Sequence, residues 1–525
     1  MTLYDKRHLA LSCLLLLTFM MIVGCTLKVQ HRTLVEPVDY RSLASLDSRS
    51  PVLKAHLSDG GLYILNNWTV DEETRTVHGT GALLDARRDT VTSGPLDVAV
   101  DSVAIFESNV LQNSQALAPL TVLTVASAAL SVYCLTNPKA CFGSCPTFYV
   151  PADSGAILQA EGFSASVAPA LEANDLDLLL RCRPRGRTLP VTMTNEALET
   201  HVVRRVELLA LKRPAGGRVL ADHAGRFWQT GPLQPLQRCL GAEGDCTTLL
   251  TEFDGRERFS LADDTDLATR EFLEVEFATP PPGVRQGLVI VSRQSLLSTY
   301  LFYQGLAYLG GHAAPALVRA EQVLEPVPGQ RSLGSTLGNI EVQIRNEAGL
   351  WRTVGAAGET GPLATNCHFV PLDLSPSVMP PGAPLQLRLR LTRGHWRLDQ
   401  LALATILGET QPRRIPPSRV QRDDTVDETA LAILLDPERC LTTLPGDRYE
   451  LVYDLPACPQ QYEYCLDSQG YYLEWMREEW RAEEDPVQAA LLFLQPELAL
   501  RQLASAFKAL EPSLETEFWG SRYAR

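Results

Sequence analysis

Apolar and polar positions alternate with a period of two along most of this chain, which predicts a mainly β protein with helical additions, an α+β class. Over residues 51–113, runs such as Leu62-Tyr63-Ile64-Leu65 are punctuated by Asp59-Gly60-Gly61 and Ser93-Gly94-Pro95 as turns. They predict a small β domain, a meander curling into a roll. Residues 151–279 predict a β-sandwich, with strands near 156–163, 189–194, 202–211 and 272–277 and one short helix over 168–180. Pro280-Pro281-Pro282-Gly283 then breaks the chain. A strand and helices follow over 284–330, where Leu297, Leu301 and Tyr308 recur at helical spacing before Gly310-Gly311. Residues 331–410 predict a jelly-roll-like β domain, and 411–525 a mixed, mostly helical C-terminal unit. In that unit residues 471–482 read as an amphipathic helix lined by Leu473, Met476 and Trp480, followed by helices near 486–494 and 496–509.

Two stretches break the alternation. The first is Lys6-Arg7 followed by an apolar run over residues 9–23, closed by Gly24-Cys25. A charged head, an apolar middle and a small residue at the end have the layout of a secretory signal, predicted over residues 1–24. The second is residues 117–135, almost wholly apolar or small, within a span of 114–150 that ends in a Cys-rich turn. It reads as a helix buried by its neighbours, with a membrane-inserted helix and a buried strand pair as the alternatives.

The end of the first run, Ile22-Val23-Gly24-Cys25, resembles the bacterial lipobox. That resemblance implies cleavage before Cys25, acylation of its thiol (palmitate or a similar chain), and a lipidated tether over residues 25–50. Thr26 in place of Asp then favours the outer membrane of a Gram-negative cell envelope. Trp396-Arg-Leu-Asp-Gln-Leu-Ala-Leu403 is similar to the last strands of galactose-binding-like domains. Asn195-Glu196 with Glu199-Thr200-His201, Ser295-Leu-Leu-Ser-Thr-Tyr-Leu-Phe-Tyr303 and Pro445-Gly-Asp-Arg-Tyr-Glu-Leu451 resemble uncharacterised exported bacterial proteins, some with FG-GAP or UnbV-type modules. Those families supply no catalytic residues to carry over.

Charge narrows the partners. A net charge of −15 and a pI near 5.2 argue against nucleic acid, which is gripped by clustered Lys and Arg, and against an electrostatic hold on anionic lipid. Membrane lipid is expected to be met through acylated Cys25 alone, and envelope proteins or polysaccharide are the other expected partners. Of 12 cysteines, removing Cys13 and Cys25 leaves ten, an even number compatible with disulfides in an exported chain. Cys239 and Cys246 bracket a turn-rich loop and are one candidate pair; Cys458 and Cys465 are a second. Cys134, Cys141 and Cys145 crowd a short segment with no paired knuckle and no His nearby, so a structural turn with a Cys141–Cys145 bridge is preferred over a metal or redox site.

No phosphate loop, His-Glu-x-x-His or dinucleotide fingerprint occurs, so no cofactor, metal or catalytic residue is assigned. His201, His368 and His395 read as core or strand-edge residues, and Asp263-Asp264-Thr265-Asp266 as a solvated turn. Trp351, Trp396, Trp475 and Trp480 read as core or as stacking platforms for sugars. The function expected is therefore a membrane-anchored binding or scaffold module. A carbohydrate-active or carbohydrate-binding protein is the alternative, marked by two carboxylates beside a tryptophan in one concavity.

Overall fold

The computed structural model describes residues 27–35, 48–57, 61–71, 73–84, 90–114, 145–153, 155–163, 172–197, 199–310, 333–345, 349–358, 361–372, 374, 384–474 and 483–520. The signal-like run, Cys25, residues 117–135, Cys134, Cys141, Trp475 and Trp480 lie outside them. The chain divides into two compact units.

The first unit is one six-stranded sheet. Its strands are β1 (Leu27–Val35), β2 (Val52–Leu57), β3 (Leu62–Asp71), β4 (Thr76–Leu84), β5 (Thr90–Ala99) and β6 (Val103–Ser114), in the order β1-β6-β2-β3-β4-β5. Leu53, Leu65, Val77, Val98 and Phe106 are buried in it. Residues 27–35, expected as tether, instead pair antiparallel with β6 from Leu27 opposite Ser114 to Val35 opposite Phe106. Leu27, Val29, Thr33 and Val35 supply the alternation that a strand needs. In β4, a side chain on Gly81 would strike the Ile64 carbonyl, so this strand approaches its neighbour only as glycine.

The second unit is built from two β-sandwiches and a helical layer. The strands before residue 213 are β7 (Thr147–Ala152), β8 (Gly155–Glu161), β9 (Ala173–Leu178), β10 (Thr188–Thr194) and β11 (Glu199–Lys212). Next come β12 (Arg218–Ala221), β13 (Phe227–Pro235), β14 (Arg238–Gly241), β15 (Gly244–Asp245), β16 (Arg258–Phe259), β17 (Arg270–Phe277) and β18 (Gln286–Gln294). They are followed by β19 (Ile340–Arg345), β20 (Trp351–Ala357), β21 (Asn366–Leu372), β22 (Leu385–Thr392) and β23 (Trp396–Thr410). The last are β24 (Arg413–Ile415), β25 (Arg419–Arg422), β26 (Thr425–Val426), β27 (Leu441–Thr443), β28 (Arg448–Asp454) and β29 (Tyr462–Glu474).

The first sandwich joins the two ends of this run. One of its sheets has the order β26-β25-β28-β10-β7-β8 and the other β24-β11-β29-β9, with β27 also on β11. The second sandwich holds everything between: β15-β14-β17-β22-β19-β20 against β12-β13-β23-β18-β21, with β16 also on β23. Apart from β12, which has no counterpart in the first, the two repeat one another strand for strand. Reading β8-β7-β10-β28-β25-β26 against β20-β19-β22-β17-β14-β15 aligns one sheet, and β9-β29-β11-β24 against β21-β18-β23-β13 aligns the other.

Local hydrogen bonds repeat as well. The Cys246 amide donates to the Cys239 carbonyl at 3.0 Å, and the Asp427 amide to the Val420 carbonyl at 2.9 Å. Asp254 Oδ1 accepts from the Arg256 amide at 2.9 Å, as Asp436 Oδ1 does from Glu438 at 3.0 Å. Along the chain the halves alternate, so each sandwich unites a half from each of two tandem copies.

The expected sandwich at 151–279 is thus corrected: β7–β11 close on β24–β29, not on β17. Two predicted helices are also strands. β9 occupies part of 168–180, and Tyr471 to Glu474 continue β29, opposite Glu199 to Val202. In both, the apolar residues of a short segment suit a buried strand as well as a helix, and long-range pairing with a partner strand decides the outcome.

Helices α1 (Thr247–Leu250), α2 (Leu297–Leu309), α3 (Leu333–Leu337), α4 (Glu428–Leu434), α5 (Pro486–Leu494) and α6 (Pro496–Gly520) complete the unit. Leu297, Leu301, Leu492, Leu500 and Phe507 bury one face each of α2, α5 and α6 in a common core. Arg293 and Arg397, both bonded to Glu515, hold α6 against the second sandwich. No helix among the described residues is long and apolar enough to cross a membrane.

Candidate functional site

The sheet β24-β11-β29-β9 of the first sandwich faces β12-β13-β23-β18-β21 of the second. Leu209, Leu211 and Cys465 pack there against Val219, Phe227, Val289 and Phe369. Asn366 reaches across and donates from Nδ2 to Asp177 Oδ1 at 2.7 Å. Burial, with Asp175 and Glu161 nearby, pushes the Asp177 carboxyl well above the usual carboxylate range. Glu161 Oε2 accepts from the Leu363 amide at 2.7 Å. These buried acids fasten one sandwich to the other.

Where the two faces diverge they leave a cleft of about 460 Å³, within the usual range for a small-molecule site. Val289 and Val291 of β18, Leu220 of β12 and Leu233 of β13 give it an apolar floor; the β7–β8 hairpin and the loop after β9 overhang it with Ile157, Leu180, Arg181 and Arg183. Cys367 also lines it. Burial pushes that thiol up to about 12, so it serves as a small apolar wall group rather than a nucleophile.

Three guanidinium groups line the cleft, and two of them are paired. Arg218 donates through Nε and Nη2 to the buried Glu463 carboxylate. Arg183 lies 3.8 Å from Asp153 and donates to the carbonyls of Leu180 and Cys182. Arg181 has no carboxylate in ion-pair range among the described residues. Its backbone amide donates to Gln159 Oε1 at 2.8 Å, and its guanidinium lies 4.2 Å from the Phe253 ring centroid. Asp399, the buried acid that feels the Arg181 charge, turns its oxygens to the amides of Asp254 and Gly255 instead.

Sequence reasoning did not single out Arg181, since one arginine between strands carries no motif. A faint signal lay in the repeat: the aromatic Phe253, just before the Asp254 turn, stands where Leu435, 50 % exposed, precedes Asp436 in the other sandwich.

The residues expected from sequence fall in several places. The Cys239 and Cys246 sulfurs are brought to 3.2 Å, buried and as thiols. The Cys458–Cys465 pairing is corrected, because Cys458 is exposed in a turn while Cys465 is buried between the sandwiches and both are free. Cys145 is buried in the first core, and its expected partner Cys141 lies outside the described residues. No disulfide joins two of the described cysteines. Asp263 Oδ1 bonds its own turn at the amides of Thr265 and Asp266, and Asp266 bonds Arg501. Among the described residues no cluster of three ligating side chains is placed to hold a metal.

Trp396 is core, 1 % exposed. Trp351 instead stands on the outer face of the second sandwich, where Arg388 is layered between its ring (4.6 Å) and that of Phe272 (4.3 Å). Beside it lies a groove of about 270 Å³ lined by Glu274, Glu276, Arg238, Arg345 and Gln386.

No family model matches the chain, and a comparison with curated proteins found no match. Among solved structures it is similar to an allantoicase at 9 % identity and a TM-score of 0.18, covering 55 % of this chain and 98 % of that one. A second allantoicase, from Saccharomyces cerevisiae, gives 7 % identity and a TM-score of 0.15, covering 42 % and 79 %. Overlaps this loose carry no argument about fold or activity.

Proposed function

We propose that this chain is a lipid-anchored binding module of the bacterial cell envelope, held by acylated Cys25 and taking its ligand between the two sandwiches. The observation that carries the binding part is the cleft with Arg181 laid on Phe253: a hollow of mixed polar and apolar lining that, among the described residues, keeps one guanidinium without a carboxylate in ion-pair range. The anchor rests on the basic head, apolar run and Gly24-Cys25 ending. Two or more acyl chains hold a protein stably where one is marginal, at about 0.8 kcal/mol for each buried CH₂. Cys25→Ala is expected to move the protein from the membrane to the soluble fraction of disrupted cells. Retention in the membrane would refute the anchor.

The second reading is carbohydrate recognition on the outer face. Glu274 and Glu276 are two apart on β17, so their side chains rise on one face of the strand beside Trp351. A sugar ring stacked on Trp351 with its hydroxyls on these carboxylates fits that groove. Trp351→Ala is expected to abolish retention on a column of immobilised envelope polysaccharide; retention equal to that of the parent chain would dismiss this reading.

A further inference from the structure

We propose that the cleft between the sandwiches binds a small organic carboxylate with an apolar or aromatic body, and that Arg181 receives the carboxylate. This rests on the reading of the cleft as the ligand site and names the chemistry of what enters. Over a base of buried Val289, Val291 and Leu220, the half-buried Ile157, Leu180 and Leu233 offer hydrocarbon, which rewards an apolar body and gives a hydrated inorganic anion little. At the mouth, the Phe253 ring takes one face of the Arg181 guanidinium and leaves its N–H edges to other partners.

A planar fork of N–H donors matches the two oxygens of a carboxylate. The fork is also held in advance. The Phe253 ring holds the guanidinium, and Gln159, 4 % exposed, holds the Arg181 backbone amide, so less freedom remains to be lost on binding. The other charges lining the cleft are paired, Arg218 with Glu463 and Arg183 with Asp153. In a chain of net charge −15, a cation with no carboxylate in ion-pair range among the described residues, set beside apolar side chains, selects for an anion that brings hydrocarbon with it.

The test is isothermal titration of the unlipidated full chain with 2-naphthoate and, separately, 2-naphthylmethanol, the same ring system without the charge. The carboxylate is expected to bind roughly ten- to a hundredfold more tightly than the alcohol, the span of one charge-assisted hydrogen-bonded pair. Arg181→Gln should bring the carboxylate down to the level of the alcohol and leave the alcohol unchanged, with an unaltered thermal midpoint. Leu233→Trp, which fills the floor, should remove both. Equal affinities in the parent chain, binding of neither compound, or a carboxylate indifferent to Arg181→Gln would overturn the inference. If the alcohol is still lost in Leu233→Trp, the cleft survives as a ligand site without its anion preference. If Leu233→Trp leaves both compounds bound, the cleft reading falls as well.

Discussion

Replacing Arg258 by alanine is expected to destabilise the second sandwich by about 3–5 kcal/mol, the usual cost of leaving one member of a buried ion pair without its partner. The Arg258 side chain is 1 % exposed and the Glu271 side chain 4 %. Nη1 and Nη2 of Arg258 donate to the two Glu271 oxygens at 2.6 and 2.9 Å. The other arm of the guanidinium reaches Glu243, which is 45 % exposed and contributes less because water screens it. Without Arg258, Glu271 keeps only the Ser260 hydroxyl at 2.6 Å.

The repeat shows what else this place accepts. Glu271 is the second residue of β17, and the second residue of β28 in the other sandwich is buried Tyr449. The double variant Arg258→Met/Glu271→Leu is therefore expected to recover most of the loss. Urea unfolding midpoints of the two variants measure this, and a loss below about 1 kcal/mol for Arg258→Ala would show that Glu271 does not depend on the pair.

The second large effect is acid destabilisation through His395. Its ring is buried, stacked edge-on against Trp396 with centroids 4.9 Å apart, and 3.2 Å from the Gln294 amide nitrogen. Burial, with Arg270 nearby, lowers its pKa to about 3 from the ordinary 6.5. The unfolded chain thus takes up this proton first as pH falls. Stability is expected to be unaffected by this group above pH 6.5 and to drop by about 1.4 kcal/mol per pH unit below it, until the folded-state value is reached. Between pH 6.5 and 5 that amounts to roughly 2 kcal/mol from one side chain. His395→Gln should flatten the slope of the unfolding midpoint over that window. An unchanged slope would mean that the imidazole is not the group being titrated.

Local pattern carried the elements well where alternation or helical spacing was sustained. The β17 stretch Glu271-Phe272-Leu273-Glu274-Val275-Glu276-Phe277 is buried at every second position, and α5 covers the residues expected of it. The crossing of the halves left no such mark. Leu189, Val191 and Met193 alternate as any half-buried strand does, and nothing in that alternation says that their partners are Tyr453, Leu451 and Tyr449. Between the end of β11 at Lys212 and the start of β24 at Arg413 the chain builds an entire second sandwich, so pairing across that gap is paid for in loop-closure entropy and predicts slow folding.

The repeat itself was legible in hindsight from short matches. Asp254-Gly-Arg-Glu against Asp436-Pro-Glu-Arg, each opening the same side-chain turn, is the clearest. The cleft between the sandwiches was not legible at all. Arg181, Phe253 and Leu233 are far apart in sequence, and only the facing of two sheets brings them around one cavity. Trp351 and Trp396 looked alike as sequence because both stand in strands; the face each strand turns to its neighbour separates the outer surface from the core.

The central claim is that the space between the sandwiches is a ligand site, and the position of a bound heavy atom tests it most directly. Crystals of the chain soaked in 4-bromobenzoate, with anomalous data collected at the bromine edge, are predicted to show a bromine peak over Val289 and Val291 with the carboxylate on Arg181. A peak confined to the Trp351 groove, or a cleft left empty while bromine orders elsewhere, would contradict it.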